Sequence, residues 1–346
     1  MSGLGLLCAG TVAYQAAWWR AKAIGVHRGT WRNCGRLPSN WRGSGNCACS
    51  SSLAPTASGR ARGLRQATAE VSARRLAVKW GLSGLHRLNG GGREILFGAT
   101  RDVADVVLVV MPSALSAARA VAALRYWTSI GLAAKTVAYD AASGSYLTEA
   151  PSGVALGTLR GSGAEHAYVL GRSLMTAREH LPYEHRAVDH GFSAKLAARA
   201  ATLSLAARDS TIAPALASRV SDLANELAQC DPWCTLSHGN LSPASVFALG
   251  GTVVLARPDP HFGAPLGFDL AMWAFQTYLH ALGAGGEHNG IDGFFELAGT
   301  AALGAGLPCA LVAAWGPVIG ATYALSQAAT GSSAMPEVLE LAFANV

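Results

Sequence analysis

One stretch of the chain decides the fold, and it runs from Ser237 to Asp269: SHGNLSPASVFALGGTVVLARPDPHFGAPLGFD. Its apolar runs are short and are separated by glycine and proline, which is typical of brief strands and turns. The pattern predicts short strands or loops followed by a helix from Asp269, the strands or loops lying at 233–239, 246–247 and 253–256. Asn240 and Asp259 are polar residues of this stretch that stand between the short elements.

The sequence before this stretch predicts a small mixed lobe. An amphipathic helix is expected over 69–80, with Val71, Leu76 and Trp80 facing inward. Short β-branched and apolar runs follow, and they flank one helical pattern at 113–130. We therefore predict a small sheet with one helix across it, which occupies residues 66–155.

From residue 156 onward the sequence predicts a larger, helical lobe. Long Ala- and Leu-rich patterns at 192–208 and 214–229 have the length and composition of helices. Further helices are expected at 269–282 and over roughly 294–329. The expected organisation is an α+β fold of two lobes, with residues 156–346 in the second.

Residues 1–65 differ in composition from the rest of the chain. The whole sequence has 27 Lys and Arg against 21 Asp and Glu, for a net charge of +6, yet residues 1–65 contain no acid. The remaining residues are therefore slightly acidic, which argues against a nucleic-acid partner. Because residues 1–65 lack a helical or strand period, we predict a basic extension of low order. It is a disordered tail, a targeting segment or sequence translated from a misplaced start.

Two apolar stretches are candidates for membrane spans, and neither has the features of one. Leu4–Ala17 lacks a preceding basic region and a clear cleavage site. The stretch 297–318 contains Pro308 and Pro317 and is more typical of buried helices. We predict a cytoplasmic protein with no membrane partner.

The motifs inside Ser237–Asp269 resemble the signature of the aminoglycoside and hydroxyurea phosphotransferases, in particular the streptomycin-type antibiotic resistance enzymes. Residues 238–247, HGNLSPASVF, are similar to the family pattern His-Gly-Asp-Leu-His-x-x-Asn-Val-Leu. Asp259-Pro260 stands where that family has Ile-Asp-Pro. Residues 263–271, GAPLGFDLA, resemble Gly-x-Pro-x-(Tyr/Phe)-Asp-Leu-Ala, and the spacing matches apart from about one residue.

Segments of the first lobe extend the resemblance, which covers about residue 70 to at least 280. Gly90, Gly91 and Gly92 stand where the family covers the nucleotide phosphates. Residues 107–112, VLVVMP, resemble Val-Leu-Lys-Val-x-Pro, so that Val109 occupies the lysine position. Residues 147–153, LTEAPSG, resemble the hinge segment Leu-Leu-Glu-Arg-x-x-Gly and include Glu149.

The resemblance implies the two-lobed, protein-kinase-like α+β fold and an ATP-dependent kinase that phosphorylates an alcohol group of a small molecule. ATP and Mg²⁺ would be its cofactors. In such enzymes a strand lysine grips the phosphates, a helix glutamate orients the lysine, an aspartate acts as base, and further polar side chains hold magnesium. The implied positions are Gly90, Gly91, Gly92, Val109 and Glu149 for the nucleotide, Asn240 for the base, and Ser245 and Asp259 for the metal.

Four of the expected catalytic residues are substituted. Val109 replaces the lysine, Asn240 replaces the base aspartate and Ser245 replaces a magnesium asparagine, while Asp259 keeps its type. No acid stands near Ala120, where the glutamate is expected. Because an amide cannot accept a proton as a carboxylate does, we predict weak or absent phosphate transfer.

Three functional interpretations follow from these substitutions. The protein is a weak small-molecule kinase, a non-catalytic pseudokinase that binds a nucleotide, a small molecule or a protein partner, or a chain without a present role. The acceptor substrate is not identified by the sequence. Two further residues are expected to be structural: Asp269 as a helix cap that fixes the preceding loop, and His238 as a buried hydrogen-bonding residue.

Overall fold

The computed structural model describes residues 57–88, 94–156, 163–182, 191–231, 233–283 and 290–344. The chain divides into two compact units, Met1–Val71 and Ser72–Val346. The described part of the first unit is Ala57–Val71, which belongs to helix α1 (Ala57–Trp80). Helix α1 thus begins inside the segment predicted to be of low order, whose other residues, 1–56, lie outside the described ones.

The inward face of α1 differs from the predicted one. Leu76 is fully buried, but Val71 is 70% exposed. Because successive helical residues turn by about 100°, Val71 lies roughly 140° around the helix from Leu76. The prediction that both residues face inward is therefore wrong, and the buried side of α1 is formed by Ala73 and Leu76.

A five-stranded antiparallel sheet forms the small lobe, in the order β1-β2-β3-β5-β4. Its strands are β1 (Ser83–Leu88), β2 (Ile95–Arg101), β3 (Ala104–Val110), β4 (Thr136–Asp140) and β5 (Ser145–Glu149). Helix α2 (Ala114–Ser129) stands between β3 and β4 in sequence, and the Ser113 side chain caps it by accepting from the Ser116 amide. The predicted small sheet with a helix is confirmed.

Each face of this sheet is covered by one helix, because neighbouring strand residues point to opposite sides. Phe97, Leu108 and Leu147 pack with Ala73 and Leu76 of α1. The adjacent strand residues Leu96, Val109 and Tyr146 point the other way. They pack with the inward face of α2, which consists of Ala117, Ala120, Val121 and Leu124. The position of Val109 is thus fixed by strand alternation on the α2 side.

Helices dominate the large lobe, and short strands connect them. The helices are α3 (Gly163–His180), α4 (Gly191–Ala206), α5 (Ala213–Cys230), α6 (Leu266–Gly283), α7 (Asp292–Ala305), α8 (Cys309–Ala313), α9 (Gly316–Ala329) and α10 (Pro336–Ala342). The strands are β6 (Val154–Ala155), β7 (Cys234–Ser237), β8 (Val246–Leu249), β9 (Thr252–Leu255) and β10 (His261–Pro265). Strand β7 pairs with β10, and β8 pairs with β6 and β9. The predicted two-lobed α+β fold is confirmed, although the run expected at 294–329 is three helices, α7, α8 and α9.

Helices α3 and α7 approach so closely that their contact requires glycine. A Cβ atom added to Gly171 of α3 would stand 2.0 Å from the carbonyl oxygen of Ala301. A Cβ atom added to Gly304 of α7 would stand 2.0 Å from the carbonyl oxygen of Tyr168. Backbone therefore packs on backbone at this crossing, next to Leu170, Ala301 and Ala305 of the large lobe's core.

One apolar stretch, Cys309–Ala329, is long and hydrophobic enough to cross a membrane by length and composition alone. Within the fold 78% of its most hydrophobic window is buried. Trp315, Val318 and Leu325 from this stretch belong to the large lobe's core. Its apolar character is accounted for by packing inside the protein.

We predict that Gly171→Ala lowers the free energy of unfolding by about 1–3 kcal/mol, the usual range for overpacking. The added methyl group meets a backbone oxygen, which cannot move aside without shifting α7. Gly293→Ala in the first turn of α7 is the matched control, because its Cβ atom would stand 3.5 Å from the nearest side-chain atom. It should be neutral or slightly stabilising. Equal effects of the two substitutions in urea unfolding would contradict the close crossing.

Candidate functional site

The loop that follows β7 is held in place by the carboxylate of Asp269. This carboxylate accepts hydrogen bonds from the Ser237 hydroxyl at 2.9 Å, the His238 amide at 2.6 Å and the Gly239 amide at 3.1 Å. Burial raises the pKa of the Asp269 carboxyl to about 6, and the three donors oppose that shift. Asp269 therefore fixes the loop as predicted, but it stands inside the first turn of α6 and does not cap it.

His238 is a buried part of the same loop. Its Nε2 lies 3.0 Å from the carbonyl oxygen of Ala256, and its Nδ1 accepts a hydrogen bond from the Asn240 amide at 3.3 Å. Burial lowers the pKa of His238 to about 3, so the ring is neutral at pH 7 and Nε2 carries the proton. The ring also stacks on Trp127 of α2, with 5.5 Å between the centroids. His238 thus shapes the loop and contacts the small lobe's helix.

Gly239 brings the two polar motifs of the site together. It adopts a φ of +68°, and a Cβ atom here would stand 2.0 Å from the carbonyl oxygen of Asp259. The Asp259 amide donates to the carbonyl oxygen of His238 at 2.9 Å. The segments that contain Asn240 and Asp259 are therefore in direct backbone contact, as the sequence motifs require.

The hydroxyl group of Ser245 is engaged inside the loop. It accepts a hydrogen bond from the Ser242 amide at 2.9 Å and lies 3.0 Å from the carbonyl oxygens of both Asn240 and Ser242. The side chain is fully buried. These bonds close a turn between Asn240 and Ser245, and they occupy the hydroxyl that the sequence placed at a metal position.

The side chains present do not form a dedicated magnesium site. Mg²⁺ prefers several oxygen ligands in near-octahedral geometry. In the described part of the chain no three His, Cys, Asp or Glu side chains stand together as a metal site. The half-exposed Asp259 supplies one carboxylate, whereas the Ser245 hydroxyl is bound within its loop. Of the two positions that the sequence assigned to a metal, Asp259 alone offers an oxygen that is not bound within the loop.

A cavity of about 250 Å³ lies against this loop, between residues of the sheet lobe and of the helical lobe. Its lining is largely apolar and comprises Leu88, Leu96, Val107, Val109, Leu124, Ala134, Tyr146, Thr148, Pro151, Ala244, Phe247, Leu255, Ala256 and Arg257. Such a lining suits a flat, mostly apolar group such as a heteroaromatic ring. Val109, at the lysine position, faces this cavity with an uncharged side chain and is 2% exposed.

The remaining predicted nucleotide positions are distributed differently around the cavity. Glu149 ends β5 with an exposed side chain, while its neighbours Thr148 and Pro151 line the cavity. The Glu149 amide donates to the carbonyl oxygen of Lys135 at 2.9 Å. Gly90, Gly91 and Gly92 lie outside the described residues. Ala120, the expected glutamate position, is fully buried in the same cluster as Val109.

A charged pair beside the cavity was missed by sequence reasoning. Arg257, two residues before Asp259, lies with one guanidinium nitrogen 3.8 Å from Glu94 Oε1. Both side chains are largely buried, with exposures of 11% and 6%. Burial lowers the pKa of Arg257, while Glu94 and Tyr146 raise it. The signal in the sequence is a single charged residue, Arg257, in the otherwise apolar run VVLARP. It was overlooked because Asp259, two residues later, resembles part of a metal-binding motif.

We predict that Asp269→Asn lowers the free energy of unfolding by about 2–3 kcal/mol at pH 7. An amide presents an N–H₂ group where the loop offers only donors, so a buried donor loses its acceptor. Asp209→Asn, at an exposed carboxylate, is the control and should change stability by less than about 0.5 kcal/mol. If chemical unfolding showed no difference between the two variants, the anchoring role of Asp269 would be wrong.

Three solved structures share the fold of this chain. Choline kinase LicA from Streptococcus pneumoniae has a TM-score of 0.52 at 13% identity, over 79% of this chain and 95% of that chain. A thermostable mutant of aminoglycoside phosphotransferase APH(4)-Ia, in ternary complex with ADP and hygromycin B, has a TM-score of 0.52 at 17% identity, over 75% and 91%. Amicoumacin kinase hAmiN, in complex with AMP-PNP, Ca²⁺ and Ami, has a TM-score of 0.50 at 13% identity, over 79% and 93%.

These comparisons show the fold. No protein-family model matches the sequence, and no curated protein matches it. The resemblance that the motifs indicated is therefore confirmed at the level of architecture, while the streptomycin-type branch stays a prediction. The chain has the kinase-like fold found in aminoglycoside phosphotransferases and choline kinases.

Proposed function

We propose that the protein binds a nucleotide in the cavity between the lobes and transfers phosphate to a small-molecule alcohol very slowly or not at all. The observation that carries this proposal is a largely apolar cavity, without a lysine at position 109, next to a loop that is firmly held. The loop from His238 to Asn240 is held by Asp269, whereas Val109 presents no charge. The loop expected of a phosphotransferase is kept, whereas the lysine, its glutamate partner and the base aspartate are replaced by Val109, Ala120 and Asn240.

The apolar cavity supports nucleotide binding. Val107, Leu255 and Phe247 come from both lobes and can enclose a planar ring, as adenine-sized groups require. Among the proteins with this fold, APH(4)-Ia was solved with ADP and hAmiN with AMP-PNP. ATP is accordingly the nucleotide that we infer for this chain, and a small alcohol such as an antibiotic or a choline-like molecule is the acceptor class.

The residues at the reacting end argue against efficient transfer. General base catalysis by a positioned side chain contributes about 10²- to 10⁴-fold, and the Asn240 amide cannot supply it. Phosphate transfer depends mostly on positioning and on neutralising charge. In kinases a lysine–glutamate pair positions the phosphates and neutralises their charge. Val109 and Ala120 stand at the two expected positions of that pair, and both side chains are buried in apolar surroundings. A pseudokinase that binds the nucleotide without turnover is the limiting case of the same proposal.

We predict that ADP raises the melting temperature of the protein and that a cavity-blocking variant loses this effect. Val107→Phe places a ring in the cavity from a half-buried position on β3. Val78→Phe, at a site on α1 that is 86% exposed, is the matched control and should keep the shift. Stabilisation by a ligand that binds only the folded state grows with its concentration over Kd. Absence of any shift with ADP and ATP would overturn the nucleotide proposal.

Turnover with ATP and streptomycin, hygromycin B or choline should be at least about 100-fold below the usual kinase range of about 1–100 s⁻¹. Asn240→Asp restores a carboxylate on the same loop and should raise the residual rate. Asn225→Asp, at an exposed position of α5, is its control and should leave the rate unchanged. A wild-type rate within the usual range, measured as ADP release, would contradict the loss of catalytic groups.

A further inference from the structure

Arg257 occupies an unusual place in the cavity wall. Among the described residues that line the cavity, Arg257 is the one with a charged side chain, and that side chain is 11% exposed. Its backbone has a φ of +59°, a left-handed conformation that is uncommon for a residue with a side chain. A buried cation in a strained backbone position is costly, so its orientation in this fold needs a physical explanation.

Two groups hold the guanidinium of Arg257. One of its terminal nitrogens donates to the carbonyl oxygen of Ala244, in the loop that also contains Asn240. The other lies 3.8 Å from Glu94 Oε1, which is too far for a hydrogen bond. The Glu94 oxygen has no hydrogen-bond partner among the described residues. Glu94 thus supplies a compensating charge, and the hydrogen bond to Ala244 engages one guanidinium donor among the described residues.

A second donor stands at the same cavity. The hydroxyl of Tyr146 is fully buried and has no hydrogen-bond partner in the described part of the chain. Tyr146 pairs with Val109 across β5 and β3, so it flanks the lysine position. Burial together with nearby Glu94 raises the pKa of Tyr146, which keeps the O–H group protonated and able to donate. Arg257 and Tyr146 line the cavity, whereas Glu94 is not one of its lining residues.

We propose that Arg257 is the anion-binding residue of the cavity and that it takes a phosphate group of the ligand, with the Tyr146 hydroxyl as a second donor. Glu94 is the buried counter-charge that compensates the guanidinium when no anion is bound. The positive charge that Val109 lacks is in this way supplied from the strand-to-loop segment before Asp259. The assignment of the phosphate to a nucleotide rests on the proposed function, but the anion site itself does not.

The chemistry of the two donors favours phosphate. A guanidinium offers five N–H donors in a planar fork that matches two oxygens of a phosphate at once. The Tyr146 hydroxyl, which belongs to another lining residue of the same cavity, offers a third donor. Because this recognition uses only protein donors, it requires no metal and should persist in the presence of a chelator.

The experiment measures binding of ADP, adenosine and inorganic pyrophosphate by calorimetry in EDTA, for the wild-type protein and for Arg257→Gln. We expect the wild type to bind pyrophosphate and to prefer ADP over adenosine by at least about tenfold, the effect of a charge-assisted pair. Arg257→Gln should lose pyrophosphate binding and most of the preference for ADP, while adenosine binding stays. Arg87→Gln, at an exposed position of β1, is the matched control.

Each outcome decides between the two proposals. A folded Arg257→Gln protein that keeps pyrophosphate binding and the ADP preference overturns the anion site. So does a wild type that binds adenosine as well as ADP, although nucleotide binding then stands. Pyrophosphate binding that depends on Arg257, without binding of ADP or adenosine, supports the anion site and overturns the nucleotide proposal.

A second variant decides the matter if Arg257→Gln fails to fold. Glu94→Gln removes the negative charge near the guanidinium without removing the donor. An anion-binding Arg257 then attracts pyrophosphate more strongly, and affinity should rise several-fold. A purely structural ion pair predicts lower stability and no gain in affinity, and that result would overturn the proposal.

Discussion

The candidate site depends on one buried carboxylate. Asp269 accepts three hydrogen bonds from consecutive residues, and these bonds set the backbone of Ser237, His238 and Gly239. Asp269 lies in the first turn of α6. A rigid helix therefore positions a loop that stands about thirty residues earlier in the chain. The conformation of that loop determines where Asn240 lies. It also brings Gly239 against Asp259 and stacks His238 on Trp127. A polar group buried at this depth is stable only because its partners are complete.

The scaffold of the site and its chemistry depend on different parts of the chain. The scaffold is held by backbone groups and by Asp269, and it survives the substitutions at the surrounding positions. Ser245 illustrates the difference: its hydroxyl bonds the Ser242 amide and the nearby carbonyl oxygens, which tightens the loop but leaves no free ligand for a metal. The same loop can therefore be well formed without offering the Ser245 hydroxyl to a metal ion.

Much of the fold was predictable because its signals are local. The unbroken β-branched and apolar run VVLVV, which ends before Pro112, and the helical spacing after Ser113 identify β3 and α2 without any long-range information. The loop and Asp259 were identified because the resemblance fixes their spacing.

Glu94 and Arg257 were missed because their pairing joins distant segments and depends on the left-handed backbone of Arg257. The crossing at Gly171 was missed for the same reason, since a glycine within a helix does not reveal which backbone it meets. Val71 was misassigned because Ala-rich helices leave their buried face weakly marked.

The location of Arg257 also restricts how this site can change by single substitutions. A lysine in place of Val109 would introduce a second cation at a cavity wall where one guanidinium is already compensated by one carboxylate. Two like charges in such buried surroundings repel more strongly than they do in water. Val109→Lys would thus be unfavourable while Arg257 is present and better tolerated after Arg257 is replaced by a neutral residue. The order in which the two positions are substituted therefore matters.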